Sequence, residues 1–174
     1  PIIFIDELDK ISRTEHGKEI IGILTHLIDG TQNDSFQDKY FSGIDLDLSK
    51  ALFIFSYNDV EAIDRILLDR IHRIKFKHLS LEEKVVITND YILPEIYNKM
   101  GFENIININD NIIEYIINTY TNEPGVRKLK ELLFEIIGEI NLSLLIPNNT
   151  EYTFPIEITI HDIRYKYLND RPEH

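Results

Sequence analysis

The chain opens on an uninterrupted apolar run, Ile2–Ile5, which is followed at once by the carboxylates of Asp6 and Glu7. A short continuous apolar run predicts a strand that is buried on both faces, as in a parallel sheet. Adjacent charges at the end of such a strand are costly unless a cation, a water molecule or a ligand uses them. The pattern favours a nucleoside triphosphatase, in which one carboxylate holds the Mg²⁺ shell and the next polarises water. A strand that runs into an acidic turn is the alternative.

Two more apolar segments continue this pattern. Residues 51–56 and 71–76 are predicted strands, while apolar residues at 3.6-residue spacing predict a helix over 18–28 that stops at Gly30. A short helix is expected over 62–69. Strands that alternate with helices predict an α/β layer with a parallel sheet.

From Ser80 onward the sequence is mostly helical. Ser80 and Glu83 form a capping box that opens a helix to about residue 100, and Pro94 must kink or divide this helix. Asp110 is the predicted cap of the next helix. The remaining predicted elements are strands over 105–108 and 155–160 and helices over 111–120, 124–145 and 162–168. We therefore expect a partial α/β subdomain over 1–79 and a helical subdomain over 80–170.

Composition excludes several classes of protein. The formal net charge is −12, which disfavours nucleic acid and anionic lipid as partners. No apolar run approaches the roughly 20 residues of a membrane helix, and no signal peptide is visible in these residues. Cysteine is absent, which suits a reducing compartment such as the cytoplasm or a mitochondrial matrix. Because the chain begins inside a strand without an initiator methionine, we expect it to be a piece of a longer protein.

Asn58 follows the predicted strand 51–56. If this strand is parallel to the first, Asn58 lies at the same sheet edge as Asp6 and Glu7, where its amide could hold the attacking water or touch a terminal phosphate. Asn is also a preferred helix N-cap, so Asn58 and Asp59 could instead simply start the next segment.

Arg70 lies between the predicted helix 62–69 and the predicted strand 71–76. Presented there, its guanidinium could reach the phosphates of a neighbouring subunit, an effect worth on the order of 10³–10⁵ in rate for an arginine finger. The alternative is a surface ion pair with Asp64 or Asp69, worth about 0–1 kcal/mol.

Arg127 lies in the first turn of the longest predicted helix. A cation at the start of a helix interacts unfavourably with the helix macrodipole, typically at a cost of about 0.3–1 kcal/mol. An anion bound at this position would explain why a cation is found there. Pairing with Glu123 or Glu131 is the plainer explanation.

In this order, the segments resemble the ATPase module of Lon-type AAA+ proteases. Residues 2–11 resemble the Walker B strand of that family, and residues 29–49 resemble a stretch that distinguishes Lon from other AAA+ motors. Residues 53–58 match the position of sensor 1, residues 67–70 the arginine-finger segment, and residues 123–127 sensor 2. The resemblance covers nearly the whole chain.

The resemblance implies a role for each candidate residue in an intact parent protein. Asp6 would hold Mg²⁺ through water, Glu7 would be the catalytic base, and Asn58 would sense the γ-phosphate of ATP. Arg70 would act on the ATP of the neighbouring subunit, and Arg127 would couple nucleotide to the lid. The family further implies a hexamer, unfolded or damaged proteins as substrates, and ATP with Mg²⁺.

The chain also departs from the family pattern. It contains no phosphate loop of the form Gly-x-x-x-x-Gly-Lys-[ST] and no serine–lysine protease segment, so we expect the fragment alone to be inactive. Residues 17–19 differ from the usual Gly-Asp-Pro, and Tyr57 replaces a small polar residue. A non-catalytic interaction module and an AAA+ unfoldase without a protease remain alternatives. Because the central phosphate-loop strand of the family is missing, we expect residues 80–170 to fold well alone and residues 1–78 to be loose or to pair non-natively.

Overall fold

The computed structural model describes residues 1–29, 36–37, 45–102, 105–147 and 152–174, with the backbone alone for 36–37 and 45–46. The chain divides into two compact units, Pro1–Lys75 and Phe76–His174. Gly30 and most of the Lon-like stretch 29–49 lie outside the described residues.

The first unit is built on two parallel strands. Strands β1 (Ile2–Ile5) and β4 (Leu52–Phe55) pair along their whole length, which confirms both predicted strands and their parallel direction. Strands β2 (Phe36–Gln37) and β3 (Asp45–Leu46) form a separate antiparallel pair.

The predicted strand 71–76 is wrong. These residues have no regular structure, and the side chain of Ile74 is 74% exposed. An extended segment becomes a strand when a neighbour completes its hydrogen bonds, and no described strand lies beside this segment.

Three helices and one 3₁₀ turn complete the described part of this unit. Their bounds are α1 (Leu8–Ser12), α2 (Glu15–Leu27), the 3₁₀ turn Val60–Ala62 and α3 (Arg65–Arg70). Helix α2 begins three residues earlier than predicted because the Thr14 hydroxyl accepts a hydrogen bond from the Gly17 amide, 2.9 Å away. The small core consists of Leu8, Ile21, Leu24, Ile63 and Leu67.

The second unit begins with the predicted capping box. The Ser80 hydroxyl accepts from the Glu83 amide, and the Glu83 carboxylate accepts from the Ser80 amide. The helix that follows is interrupted, as expected for Pro94: α4 (Leu81–Ile87) passes through a wide π-helical turn (Thr88–Ile92) into α5 (Leu93–Met100).

The rest of the unit packs around two long helices. The remaining elements are β5 (Ile106–Asn107), α6 (Asp110–Tyr120), α7 (Arg127–Leu144), β6 (Ile156–Glu157), α8 (Ile160–Asp162) and a π-helical turn (Ile163–Tyr167). Strands β5 and β6 pair in parallel. The cap of α6 is Asn109 rather than Asp110, since the Asn109 side chain accepts from the Ile112 amide at 3.2 Å. Helix α7 begins at residue 127 rather than 124.

A continuous apolar core fills this unit. Its completely buried members on α6 and α7 are Ile113, Ile116, Leu129, Leu133, Ile136, Ile137 and Ile140. Their 3.6-residue spacing is the periodicity that predicted both helices.

Candidate functional site

The carboxyl ends of β1 and β4 meet at one edge of the parallel pair. The Ser56 amide donates to the Ile5 carbonyl at 3.0 Å, and the Leu8 amide donates to the Ser56 carbonyl at 2.9 Å. The Ser56 hydroxyl donates to the Asp6 carboxylate, which is exposed. This edge therefore presents an acid and a hydroxyl together, although they are 50 residues apart in sequence.

Glu7 adopts a left-handed backbone conformation, with φ 54° and ψ 44°. It is the only residue other than glycine with positive φ in the described part of the chain, and this conformation costs roughly 1–2 kcal/mol. The Glu7 amide donates to both Asp6 Oδ1 (3.0 Å) and Ser56 Oγ (3.2 Å), which offsets part of that cost. Strain of this kind is concentrated at functional sites.

The Glu7 side chain is half exposed and forms an ion pair with Lys10. Its hydrogen bond to the Lys10 ammonium raises the pKa of Lys10 above the ordinary value. The carboxylate of Glu7 therefore lies at the sheet edge beside a solvent-exposed ammonium group.

Asn58 lies two residues beyond Ser56 at the same edge, and its side chain is exposed. Of the Asn58–Asp59 pair considered as the start of the next segment, Asp59 is the N-cap of the following 3₁₀ turn, because its side chain accepts a hydrogen bond from the Glu61 amide. The backbone amide of Asn58 donates to the carboxylate of the buried Asp9 at 3.4 Å. Asp9 and Ser56 were missed at the sequence level. Their signals are a third acid, three residues after Asp6, and a hydroxyl at a strand end.

Arg70 is held by neither of the acids considered for it. Its Nη1 donates to the Thr25 carbonyl (2.8 Å) and to Asp29 Oδ2 (3.0 Å) at the end of α2. Asp64 instead caps α3 through the Ile66 and Leu67 amides. The guanidinium is oriented by α2, and the bonds described for it use only Nη1.

Arg127 is exposed, and its side chain forms no hydrogen bond or ion pair with any described residue. Glu123 caps α7 instead: its carboxylate oxygens accept from the amides of Lys128 and Leu129, both at 2.9 Å. The plainer explanation, pairing of Arg127 with Glu123, is therefore wrong. A cation remains at the start of α7 without an acid partner among the described side chains.

No helix in the described part of the chain is long and apolar enough to cross a membrane.

Comparison with known families agrees with this architecture. Residues 1–79 match the ATPase family associated with various cellular activities (AAA). Residues 99–145 match the Lon protease AAA+ ATPase lid domain. The chain is therefore a fragment of an AAA domain, with parallel strands and helices, followed by a helical lid, and the predicted fold class is confirmed.

Individual relatives narrow this class. The Lon protease homolog of Acanthamoeba polyphaga mimivirus is 45% identical over 143 residues, which cover 81% of this chain and 14% of that protein. The mitochondrial homolog of Kluyveromyces lactis is 38% identical over 83% of this chain, and the Lon protease of Campylobacter jejuni is 36% identical over 85%. The chain belongs to the Lon protease family, and it spans between 13% and 19% of the length of these relatives.

Proposed function

We propose that this chain is part of the ATPase motor of a Lon-like ATP-dependent serine protease, in which ATP hydrolysis drives unfolding and translocation of protein substrates. The observation that carries the proposal is the exposed Asp6–Glu7 pair at the carboxyl edge of the parallel strands β1 and β4. In open α/β sheets this edge is the place where nucleotides bind. Residues 1–79 would form the partial α/β subdomain and residues 80–170 the lid.

Asp6 is the residue proposed to hold Mg²⁺ through water. No cluster of three or more metal-ligating side chains occurs in the described ranges. A single carboxylate such as that of Asp6 fits Mg²⁺, because that ion keeps several waters and is bound by one or two carboxylates together with phosphate oxygens. When bound, Mg²⁺ would offset negative charge on the phosphates of ATP. The hydrogen bond from Ser56 orients the Asp6 carboxylate for this role.

Glu7 is the proposed catalytic base. Its left-handed backbone conformation departs from the extended conformation of β1 just after that strand ends. The exposed carboxylate of Glu7 can accept a proton from water once its ion pair with Lys10 has opened. The exposed amide of Asn58 would hold this water or touch the γ-phosphate.

The two arginines are proposed to contact phosphates from different directions. Arg70 would act on the ATP of the neighbouring subunit, with its guanidinium oriented by Asp29. Arg127 would bind nucleotide from the lid, which is supported by its exposure and its lack of an acid partner among the described residues.

The parent protein would be a homo-oligomer, a hexamer by family resemblance, acting on unfolded or damaged proteins. The relatives include bacterial Lon proteases and mitochondrial homologs, which supports a cytoplasmic or mitochondrial-matrix location.

The test is Glu7→Gln in the full-length protein, with the exposed Glu61→Gln as matched control. Glu7→Gln should bind a fluorescent ATP analogue normally. Its rate of phosphate release should fall by about 10²–10⁴-fold, the usual contribution of a general base. ATP-dependent degradation of an unfolded model protein should fall in parallel. Unchanged hydrolysis would remove Glu7 from its role. Hydrolysis without any protein degradation would favour an unfoldase that lacks a protease.

A further inference from the structure

Lys84 is a buried cation that the proposed mechanism does not yet use. It lies on the inner side of α4 and is only 8% exposed. Burying an ammonium group costs several kcal/mol unless other groups compensate. Lys84 has no ion pair among the described residues. Instead, its Nζ donates to the backbone carbonyl of Glu123 at 2.6 Å.

The surroundings of Lys84 explain how this charge is tolerated. Lys84 lines a cavity together with Ile117, Thr121 and Glu123, which lie at or just beyond the end of α6. The carbonyl groups at a helix C-terminus carry partial negative charge and stabilise a nearby cation. The ammonium is thus placed between the end of α6 and the loop that leads to α7.

That loop is fixed at two consecutive carbonyls. Lys84 holds the carbonyl of Glu123, and the amide of Leu79 donates to the carbonyl of Pro124 at 3.0 Å. The side chain of Glu123 then caps α7 through the amides of Lys128 and Leu129.

These contacts form one path from Lys84 to Arg127. Lys84 fixes the backbone of Glu123, the carboxylate of Glu123 fixes the first turn of α7, and Arg127 is the first residue of that turn. Because Arg127 has no side-chain partner among the described residues, the point from which its side chain extends is set by the backbone of α7.

We propose that Lys84 is a positioning residue for Arg127, acting through Glu123 to set the direction in which Arg127 meets the triphosphate. This inference rests on the proposed nucleotide contact of Arg127. It predicts that loss of the Lys84 ammonium weakens nucleotide binding only while Arg127 is present.

A double-mutant cycle in the full-length protein tests this dependence. The variants are Lys84→Met, Arg127→Ala and their combination, and the control is Lys99→Met, which removes an exposed lysine of the same unit. The dissociation constant of a fluorescent ATP analogue is measured for each, and the melting temperature is recorded alongside. Lys84→Met should weaken binding about tenfold, the size of one hydrogen bond to a charged group. Lys99→Met should leave binding unchanged.

In the Arg127→Ala background, Lys84→Met should cause no further weakening, even if it lowers the melting temperature. The same tenfold loss in both backgrounds, or no loss in the parent, would overturn the inference while leaving the role of Arg127 intact. A null effect of Arg127→Ala alone would overturn both.

If Lys84→Met does not fold, Glu123→Gln is the second variant, because it keeps the carbonyl that Lys84 binds and replaces one of the two capping oxygens with an amide. It should weaken binding in the parent and not in the Arg127→Ala background. Equal weakening in both backgrounds, or none in the parent, would contradict the inference.

Discussion

The two units of this chain differ in how completely their apolar surface is buried. In Phe76–His174, α6 and α7 bury one side of each helix in a continuous core. In Pro1–Lys75, only one face of the β1–β4 pair packs against helices. The exposed side chains of the other face are Ile2, Phe4, Leu52 and Ile54. Four large apolar residues in solvent contribute little to stability, so the unit that carries Asp6 and Glu7 is the less well supported one.

The residues proposed for catalysis and the arginine proposed for nucleotide sensing are therefore held by parts of the chain that differ in packing. Asp6, Glu7 and Asn58 are placed by two short strands that, among the described strands, pair only with each other. Arg127 begins a helix of 18 residues whose apolar side is buried. We expect the geometry of the sheet edge to depend on partners of β1 and β4 more strongly than the geometry of Arg127 does.

Hydrogen exchange on the isolated chain addresses this difference most directly. Amides in the middle of α6 and α7 should exchange more slowly than those of β1 and β4 by a factor of about 10³ or more, because local opening requires less energy where fewer apolar contacts are lost. Mass spectrometry of peptides from each unit measures this ratio. Equally slow exchange in both units would contradict the lower stability expected for the first unit.

A glycine pair probes the packing of the first unit. A Cβ atom at Gly17 would lie 1.7 Å from the Ile11 carbonyl oxygen, whereas a Cβ at Gly22 on the same helix has open space around it. Gly17→Ala should lower the free energy of unfolding by about 3 kcal/mol, the upper range for overpacking. Gly22→Ala should raise it by about 0.5–1 kcal/mol, because alanine is the better helix former. Urea denaturation, monitored by a signal from this unit, measures the change in the free energy of unfolding for each substitution. Equal changes for Gly17→Ala and Gly22→Ala would contradict the described packing.

The smallest expected effect concerns acid and the second unit. Hydrogen bonds from Lys130 and then Lys99 lower the pKa of Glu95 from 4.5 to about 2. Because the folded pKa is the lower one, this stabilisation is fully present above pH 4.5 and is lost as the pH falls toward 2. The difference in stability between the second unit and the first should therefore become smaller as the pH falls from 4.5 toward 2.

Carboxyl NMR titration of Glu95 measures this directly. Lys130→Met should raise the pKa of Glu95 toward 4.5, and Lys99→Met should raise it less. An unchanged pKa in Lys130→Met would show that the ion pair between α5 and α7 does not form in solution.

Local patterns were sufficient for much of the second unit. The Ser80–Glu83 capping box and the apolar spacing of α6 and α7 depend on residues three or four apart, so they can be seen in sequence alone. The cap of α6 was misplaced by one residue because Asn109 and Asp110 are both good capping residues.

The predicted strand 71–76 failed for a different reason. Its apolar residues suit a strand, but strand formation depends on a hydrogen-bonding neighbour, and periodicity does not report whether one is present.

The family, the strands β1 and β4 and most of the helices were predictable from the sequence, because each depends on motif order or on short-range spacing. Helix α1, which follows β1 directly, was predicted as a loop. Contacts between distant polar groups depend on how the elements pack. Asp6 bonds to Ser56, Arg70 to Asp29, and the ammonium of Lys84 to the carbonyl of Glu123, pairs that lie 39 to 50 residues apart. No local pattern specifies such pairs, since each arises when separately formed elements pack and bring polar groups together that must find partners.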